Sequence, residues 1–219
     1  MRLWRRSCHA PAASPLAPGA PLGATARALL IGVVLLQLPD ADATMTPRVL
    51  PEKDVKVEYT VTVPGRSPHD YALSFSAKSE RLRIDDPEHS LWFLVDLHDD
   101  SAALVVPWLH VVVTEPDLAN LAALLQSVRE AQFIPLGEAT IAGLHCTRYH
   151  VLSKQATGSA CLTRGGIALA VSGQDSRGSA KAVADSVTEA TVPPGSLAPP
   201  PDFSNIALPR GVISALLGE

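Results

Sequence analysis

Two cysteines, Cys146 and Cys161, have the spacing that most restricts the chemistry of this chain. They are symmetric about residues 153–154, inside the polar stretch Ser153 to Ser159. A hairpin turning there sets them opposite each other, where cross-strand Cβ atoms are close enough for a disulfide. Redox pairs are usually spaced C-x-x-C, which is absent, so the spacing predicts a structural bridge. His145 and His150 beside it invite a metal reading. They differ by five positions, so on a strand they face opposite sides, and the bridge consumes Cys146. Asp85, Asp86 and Glu88, then Asp96, Asp99 and Asp100, gather around two turns. Calcium favours oxygen ligands, but no D-x-D-x-D-G loop is present, and these read as solvated turn carboxylates. Asp175-Ser176-Arg177-Gly178 lies in a polar loop with no required spacing to a histidine and reads as loop. There is no G-x-S-x-G, H-E-x-x-H, P-loop or G-x-G-x-x-G. The sequence therefore predicts no catalytic residue, no metal and no cofactor.

Aromatic residues are the remaining candidates for binding. Trp92 lies on the strand face opposite Leu91, Phe93 and Val95, beside Leu94; Trp108 follows Pro107, beside Leu109. A tryptophan on a nominally outer face implies that both faces of the sheet are covered there. Ordinary packing of a second layer would do this. So would a hydrophobic ligand groove built from Trp92, Leu94, Trp108 and Leu109.

The elements that must position these residues are mostly strands. Lys53 to Val63 alternates Val55, Val57, Tyr59, Val61 and Val63 with Lys56, Glu58, Thr60 and Thr62, the pattern of an antiparallel strand wet on one face. Further strands are predicted over 70–78, 80–85, 90–97, 102–106, 109–113, 133–142, 144–152, 160–164, 167–172 and 180–192. The turns between them include Asp86-Pro87-Glu88-His89 and Gly165-Gly166. Within 117–130, Leu118, Leu121, Leu125 and Val128 recur at helical spacing behind a Thr114/Asp117 cap and Pro116. This predicts one amphipathic helix packed by its leucine face on the sheet. Pro193, Pro194, Pro199, Pro200 and Pro201 exclude a central strand from 193–202, and a short helix is expected at 211–217. No internal repeat is visible.

The 219 residues are 47% hydrophobic and 18% charged, which excludes a disordered chain, and the net charge of −4 argues against a nucleic-acid partner. Residues 1–43 read as an export signal. A basic start (Arg2, Arg5, Arg6) and a Pro/Ala-rich stretch precede an uncharged run from Ala28 to Leu38. That run is well short of the about 20 residues needed to span a membrane and fits a signal-peptide core. Ala41-Asp42-Ala43 then predicts cleavage after Ala43. Loss of Arg2, Arg5, Arg6, Arg27, Asp40 and Asp42 leaves 14 of 18 basic and 20 of 22 acidic side chains, a net −6. The expected divisions are the signal (1–43), a flexible lead-in (44–52), a β domain (53–192) and a Pro-rich C-terminal segment (193–219).

Phe133-Ile134-Pro135-Leu136-Gly137, Ile141-Ala142-Gly143-Leu144-His145-Cys146-Thr147, Ala160-Cys161-Leu162-Thr163 and Gly166 resemble a family of small secreted bacterial proteins. Arg81-Leu82-Arg83-Ile84-Asp85 and Leu94-Val95-Asp96 resemble the same group. Its strand pattern is similar to that of the periplasmic lipoprotein-carrier (LolA-like) fold, over most of residues 53–203. The resemblance implies a mainly β (α+β) fold: a curved, incompletely closed antiparallel sheet, a half-barrel meander, with helix on its concave side. In the carriers that side holds acyl chains. The expectation is a periplasmic or secreted, non-enzymatic binding protein for a lipid, acylated protein or hydrophobic peptide, not integral to the membrane after cleavage. The alternative is a structural or docking module for an envelope protein, using a sheet edge or the Pro-rich tail. An unrecognised hydrolase is a third reading.

Overall fold

The computed structural model describes residues 46–116, 118, 125, 127–154, 157–175 and 178–212. The export signal expected over 1–43, the Ser176-Arg177 pair and most of the short helix expected at 211–217 lie outside the described residues. Twelve strands form one sheet: β1 (Val55–Thr62), β2 (His69–Ser76), β3 (Arg81–Asp86), β4 (Leu91–Asp96), β5 (Ser101–Val106), β6 (Val111–Thr114), β7 (Gln132–Ile141), β8 (Leu144–Leu152), β9 (Thr157–Leu162), β10 (Ala168–Asp175), β11 (Gly178–Glu189) and β12 (Ser204–Ala207). Their order is β12-β6-β5-β4-β3-β2-β1-β11-β10-β9-β8-β7. Neighbouring pairs are antiparallel except β12 with β6. The sheet is curved and not closed, as the resemblance implies.

Two meanders meet at the β1–β11 seam. The first runs outward from β1 to β6, and the second returns inward from β7 to β11. The first is regular in a way the sequence does not announce. Strands β3, β4 and β5 have six residues each, separated by four-residue turns. Each turn closes on a residue with positive φ: Glu80 (49°), Ser90 (51°) and Asp100 (48°), with His110 (53°) continuing the series. The chain thus repeats its geometry every ten residues, although its side chains do not repeat. Asp86 and Asp96, ten apart, end β3 and β4 and both cap the turn that follows. Asp86 accepts the His89 amide, and Asp96 accepts the amides of His98 and Asp99.

Alternation decides which face is which. Val55, Val57, Phe75, Leu82, Leu91, Val95 and Leu104 from the first meander share one buried cluster with Cys146, Cys161, Leu169 and Ala184 from the second. Strands far apart in the sheet can share a cluster only if the sheet curls around it. Tyr59 on β1 reaches past β11 to donate its hydroxyl to the Ala168 carbonyl at 2.6 Å. Burial pushes that hydroxyl up to about 12, so it remains a donor at neutral pH.

Two crossings cover the two faces. The chain leaves β6 near one edge and re-enters at β7 on the other. Leu118 is buried in the main cluster and Leu125 packs against it. The helix expected over 117–130 lies mostly outside the described residues, and Val128–Glu130 is a 3-10 turn. The second crossing, from β11 to β12, runs over the opposite face. Phe203 packs with Leu94, Val105 and Val112 in a second cluster. The Pro-rich stretch contributes the 3-10 turn Pro194–Leu197, with Leu197 buried. The segment from 193 to 208 is therefore part of the sheet's covering and not a free tail. A strand in it, β12, was not expected, because its four residues are all exposed and carry no alternation.

Asp54 fastens the β1 start to both neighbours. Its carboxylate accepts the Ala77 amide and the Val192 amide, each at 2.9 Å. The Val192 bond holds the carboxyl below its ordinary range, helped by Ala77 and Ser76 against the opposing effect of burial. A depressed folded value means the group's contribution is complete above the unfolded value near 4 and is lost as pH falls through the folded one. Asp54→Asn, with one acceptor oxygen for two amides, is expected to lower stability by about 1–2 kcal/mol at neutral pH. It should also flatten the decline below pH 4. Chemical unfolding at pH 7 and pH 3 checks both; equal losses from wild type and variant at pH 3 would contradict the assignment.

Candidate functional site

The disulfide is present but not in the expected register. Arg148 stands opposite Cys161, and Thr147 opposite Leu162, so the β8–β9 ladder is offset by two residues from one that would set the cysteines face to face. Cys146 and Cys161 are diagonal neighbours on one face, with Cα atoms 5.4 Å apart. Strand twist shortens one diagonal and makes the bridge possible. Both cysteines are buried in the main cluster, so the role is structural. A structural bridge of this kind suits an oxidising compartment and an exported protein. His145 and His150 are not brought together: His145 lies 3.2 Å from Thr140 Oγ1, and His150 pairs with Ile134 and Ser159.

The four aromatic and leucine candidates are split by the fold. Leu94 is buried in the second cluster and Trp92 is partly buried against it, the arrangement that packing of a second layer implies. Leu109 was expected to begin an extended segment. Instead Pro107–Leu109 is a 3-10 turn ended by left-handed His110, because Pro107 removes a ladder donor and the ten-residue geometry requires a turn there. Leu109 is left exposed. Trp92 and Trp108, however, come together. With Pro87, Leu91 and Pro107 they wall an open groove of about 630 Å³ at the turn end of β3–β5, and Arg83, Asp85, Asp86 and Ser90 complete it. Trp108 is 56% exposed, unusual for so large an apolar side chain.

Arg83 fixes the position of Trp92. Its guanidinium lies 4.0 Å over the indole ring, a cation–π contact. It donates to Asp85 from Nε at 2.8 Å, and to the Ser196 carbonyl in the second crossing. The Trp92 indole N–H is buried and meets no acceptor among the described residues. A buried donor left unpaired costs free energy that an incoming acceptor would recover.

At the same end of the sheet sits a group that the sequence reading missed. Asp86, read as a solvated turn carboxylate, is 5% exposed. It is buried because β2 carries His69 over it. His69 Nε2 lies 3.0 Å from Asp86 Oδ1, and His89 Nδ1 lies 2.9 Å from Asp86 Oδ2. Glu88 reaches the other His69 nitrogen, Nδ1, at 2.6 Å. The His69 ring also contacts the rings of Tyr71 and His89. Burial raises the Asp86 carboxyl, but the His89 amide and the two rings outweigh it and hold it below the ordinary range. The available clue was two histidines each flanked by acid, His69-Asp70 and Glu88-His89. Only the β2–β3–β4 pairing joins them.

No family model and no curated protein matches this sequence. Among solved structures, an uncharacterized conserved protein from Thermus thermophilus is similar over 72% of this chain and 91% of its own, with 10% identity and a TM-score of 0.52. That likeness concerns the fold alone. Weaker likenesses join the chain to MucB of Pseudomonas aeruginosa in complex with MucA (72% and 59% covered, 12% identity, TM-score 0.48). A third structure is an outer membrane lipoprotein-sorting protein domain from Vibrio parahaemolyticus (66% and 89%, 10%, 0.37). The described residues form an open, curved and almost wholly antiparallel sheet, and the likeness to the Thermus thermophilus structure extends over that fold.

Proposed function

We propose that this chain is an exported, non-enzymatic binding protein that holds the acyl chain of a lipid or acylated protein in the groove between Trp92 and Trp108. The observation that carries this reading is the groove itself. Two indoles and two prolines line an open surface groove, and Trp108 in it is more than half exposed. An acyl chain would cover that apolar surface, with the Arg83 guanidinium at the groove as a charged neighbour for an ester or carboxylate oxygen. The groove lies at the turn end of β3–β5, where Trp92 on the second cluster's face and Leu91 of the main cluster both reach it. We assign the crossing over 117–130 to an amphipathic helix that covers the concave side, supported by the packing of Leu118 and Leu125.

Native mass spectrometry of protein purified from envelope fractions without detergent tests the proposal. A species heavier by one acyl lipid, absent from Trp108→Asp, is expected. A single ligand-free mass would count against it. The docking alternative is favoured by the exposed Ile134 and Leu136 on edge strand β7. Against it, Pro135 and the bulge beside Gly137 blunt that edge, and the Pro-rich segment is packed and not available as a tether.

A further inference from the structure

The geometry points to a divalent transition-metal site, of a kind suited to Zn²⁺, formed by His69 Nε2, His89 Nδ1 and the Asp86 carboxylate at the turn end of β2–β4. These three residues place one ligand atom each within 4.8 Å of one another. Tetrahedral zinc with bonds of about 2.0–2.2 Å sets neighbouring ligand atoms about 3.3 Å apart. Each ring nitrogen already lies near that distance from one Asp86 oxygen, His69 Nε2 at 3.0 Å from Oδ1 and His89 Nδ1 at 2.9 Å from Oδ2, so a small rotation of the carboxylate would complete the site.

Donor counting gives an independent reason to place a cation here. A neutral imidazole carries one N–H. Both nitrogens of His69 lie within hydrogen-bond distance of a carboxylate oxygen, Asp86 at 3.0 Å and Glu88 at 2.6 Å. With only one proton on the ring, one of these contacts sets a lone pair against a carboxylate. A cation between His69 Nε2 and Asp86 would remove that repulsion. With a metal there, every contact is satisfied. Nε2 and the carboxylate ligate, while Nδ1–H donates to Glu88, the outer-shell carboxylate that commonly orients a ligating histidine. Asp86 is held rigidly, because its own strand end and the His89 amide fix it. The His89 side chain is 53% exposed, so the ion has a path from solvent.

Zn²⁺ titration of the full exported chain by calorimetry, after chelator treatment, tests this. The tetrahedral d–d absorption of Co²⁺ serves as the geometric readout. One equivalent is expected to bind. His89→Ala, an exposed position that does not threaten folding, should abolish it. Glu88→Gln should weaken it about 10–100-fold by loss of orientation. His145→Ala should leave it unchanged. Absence of a binding heat and of a Co²⁺ spectrum would overturn the proposal. Binding that survives His89→Ala, or is lost in His145→Ala, would overturn it in favour of a different site.

Discussion

Replacement of Gly166 by alanine is expected to destabilise the protein by about 3 kcal/mol or more, while the same change at Gly143 costs about 1. Both glycines have left-handed backbone, with φ of +86° and +75°. Each alanine therefore meets the penalty of a Cβ at positive φ. The difference lies in what surrounds them. A Cβ on Gly143 meets open space, whereas one on Gly166 would lie 2.1 Å from the Leu50 carbonyl oxygen and 2.7 Å from its carbon. Backbone cannot rotate aside as a side-chain tip can. The lead-in strand of chain would have to lift, and with it the Glu52 amide bond to the Gly165 carbonyl and the packing of Leu50 on the core. Urea unfolding of the two variants checks this. Equal losses would show that the lead-in is not seated on the Gly165-Gly166 turn.

Removal of the disulfide is the second large effect. Cys146 and Cys161 enclose 15 residues of separation, and closing a loop of that length is worth about 3 kcal/mol in the chain-entropy model. The double variant Cys146→Ala, Cys161→Ala should lose about this much, with a small further loss from packing of two buried sulfurs. The loss should also be local. The β7–β9 edge already exposes Ile134, Leu136 and Leu144, so it depends on the bridge more than the first meander does. Hydrogen exchange is expected to accelerate in β7–β9 well before β3–β5. Uniform acceleration along the whole chain would contradict this picture of a stapled edge on an independently packed meander.

The strands were legible in the sequence because one face of each is buried, and burial imposes a period of two. Val55 and Val57 are buried where Lys56 and Glu58 are exposed, and the observed boundaries differ mostly by one or two residues at the ends. The second cluster was legible only as an anomaly, the tryptophan on the wrong face. What covers that face, Phe203 and Leu197, lies in a Pro-rich stretch that works through isolated buried side chains and carries no period. The half of the groove contributed by Trp108 was visible as a residue type. Its meeting with Trp92 depends on the 3-10 turn after β5, which is set by the ten-residue geometry of the turns and not by a local motif. The His69–Asp86–His89 cluster was illegible for a related reason. Seventeen residues separate His69 from Asp86, and only the hairpin between them turns a polar strand start into a lid over a turn aspartate.

The central claim is that the groove between Trp92 and Trp108 takes an acyl chain, and fluorescence quenching tests it most directly. Long-chain fatty acids brominated along the chain quench indoles only at close range. Titration is expected to quench Trp92 and Trp108 emission saturably at one equivalent, with the effect halved in Trp108→Phe and binding lost in Trp108→Asp. Quenching that fails to saturate, or that is unchanged in Trp108→Asp, would contradict the account and leave the groove as bare surface.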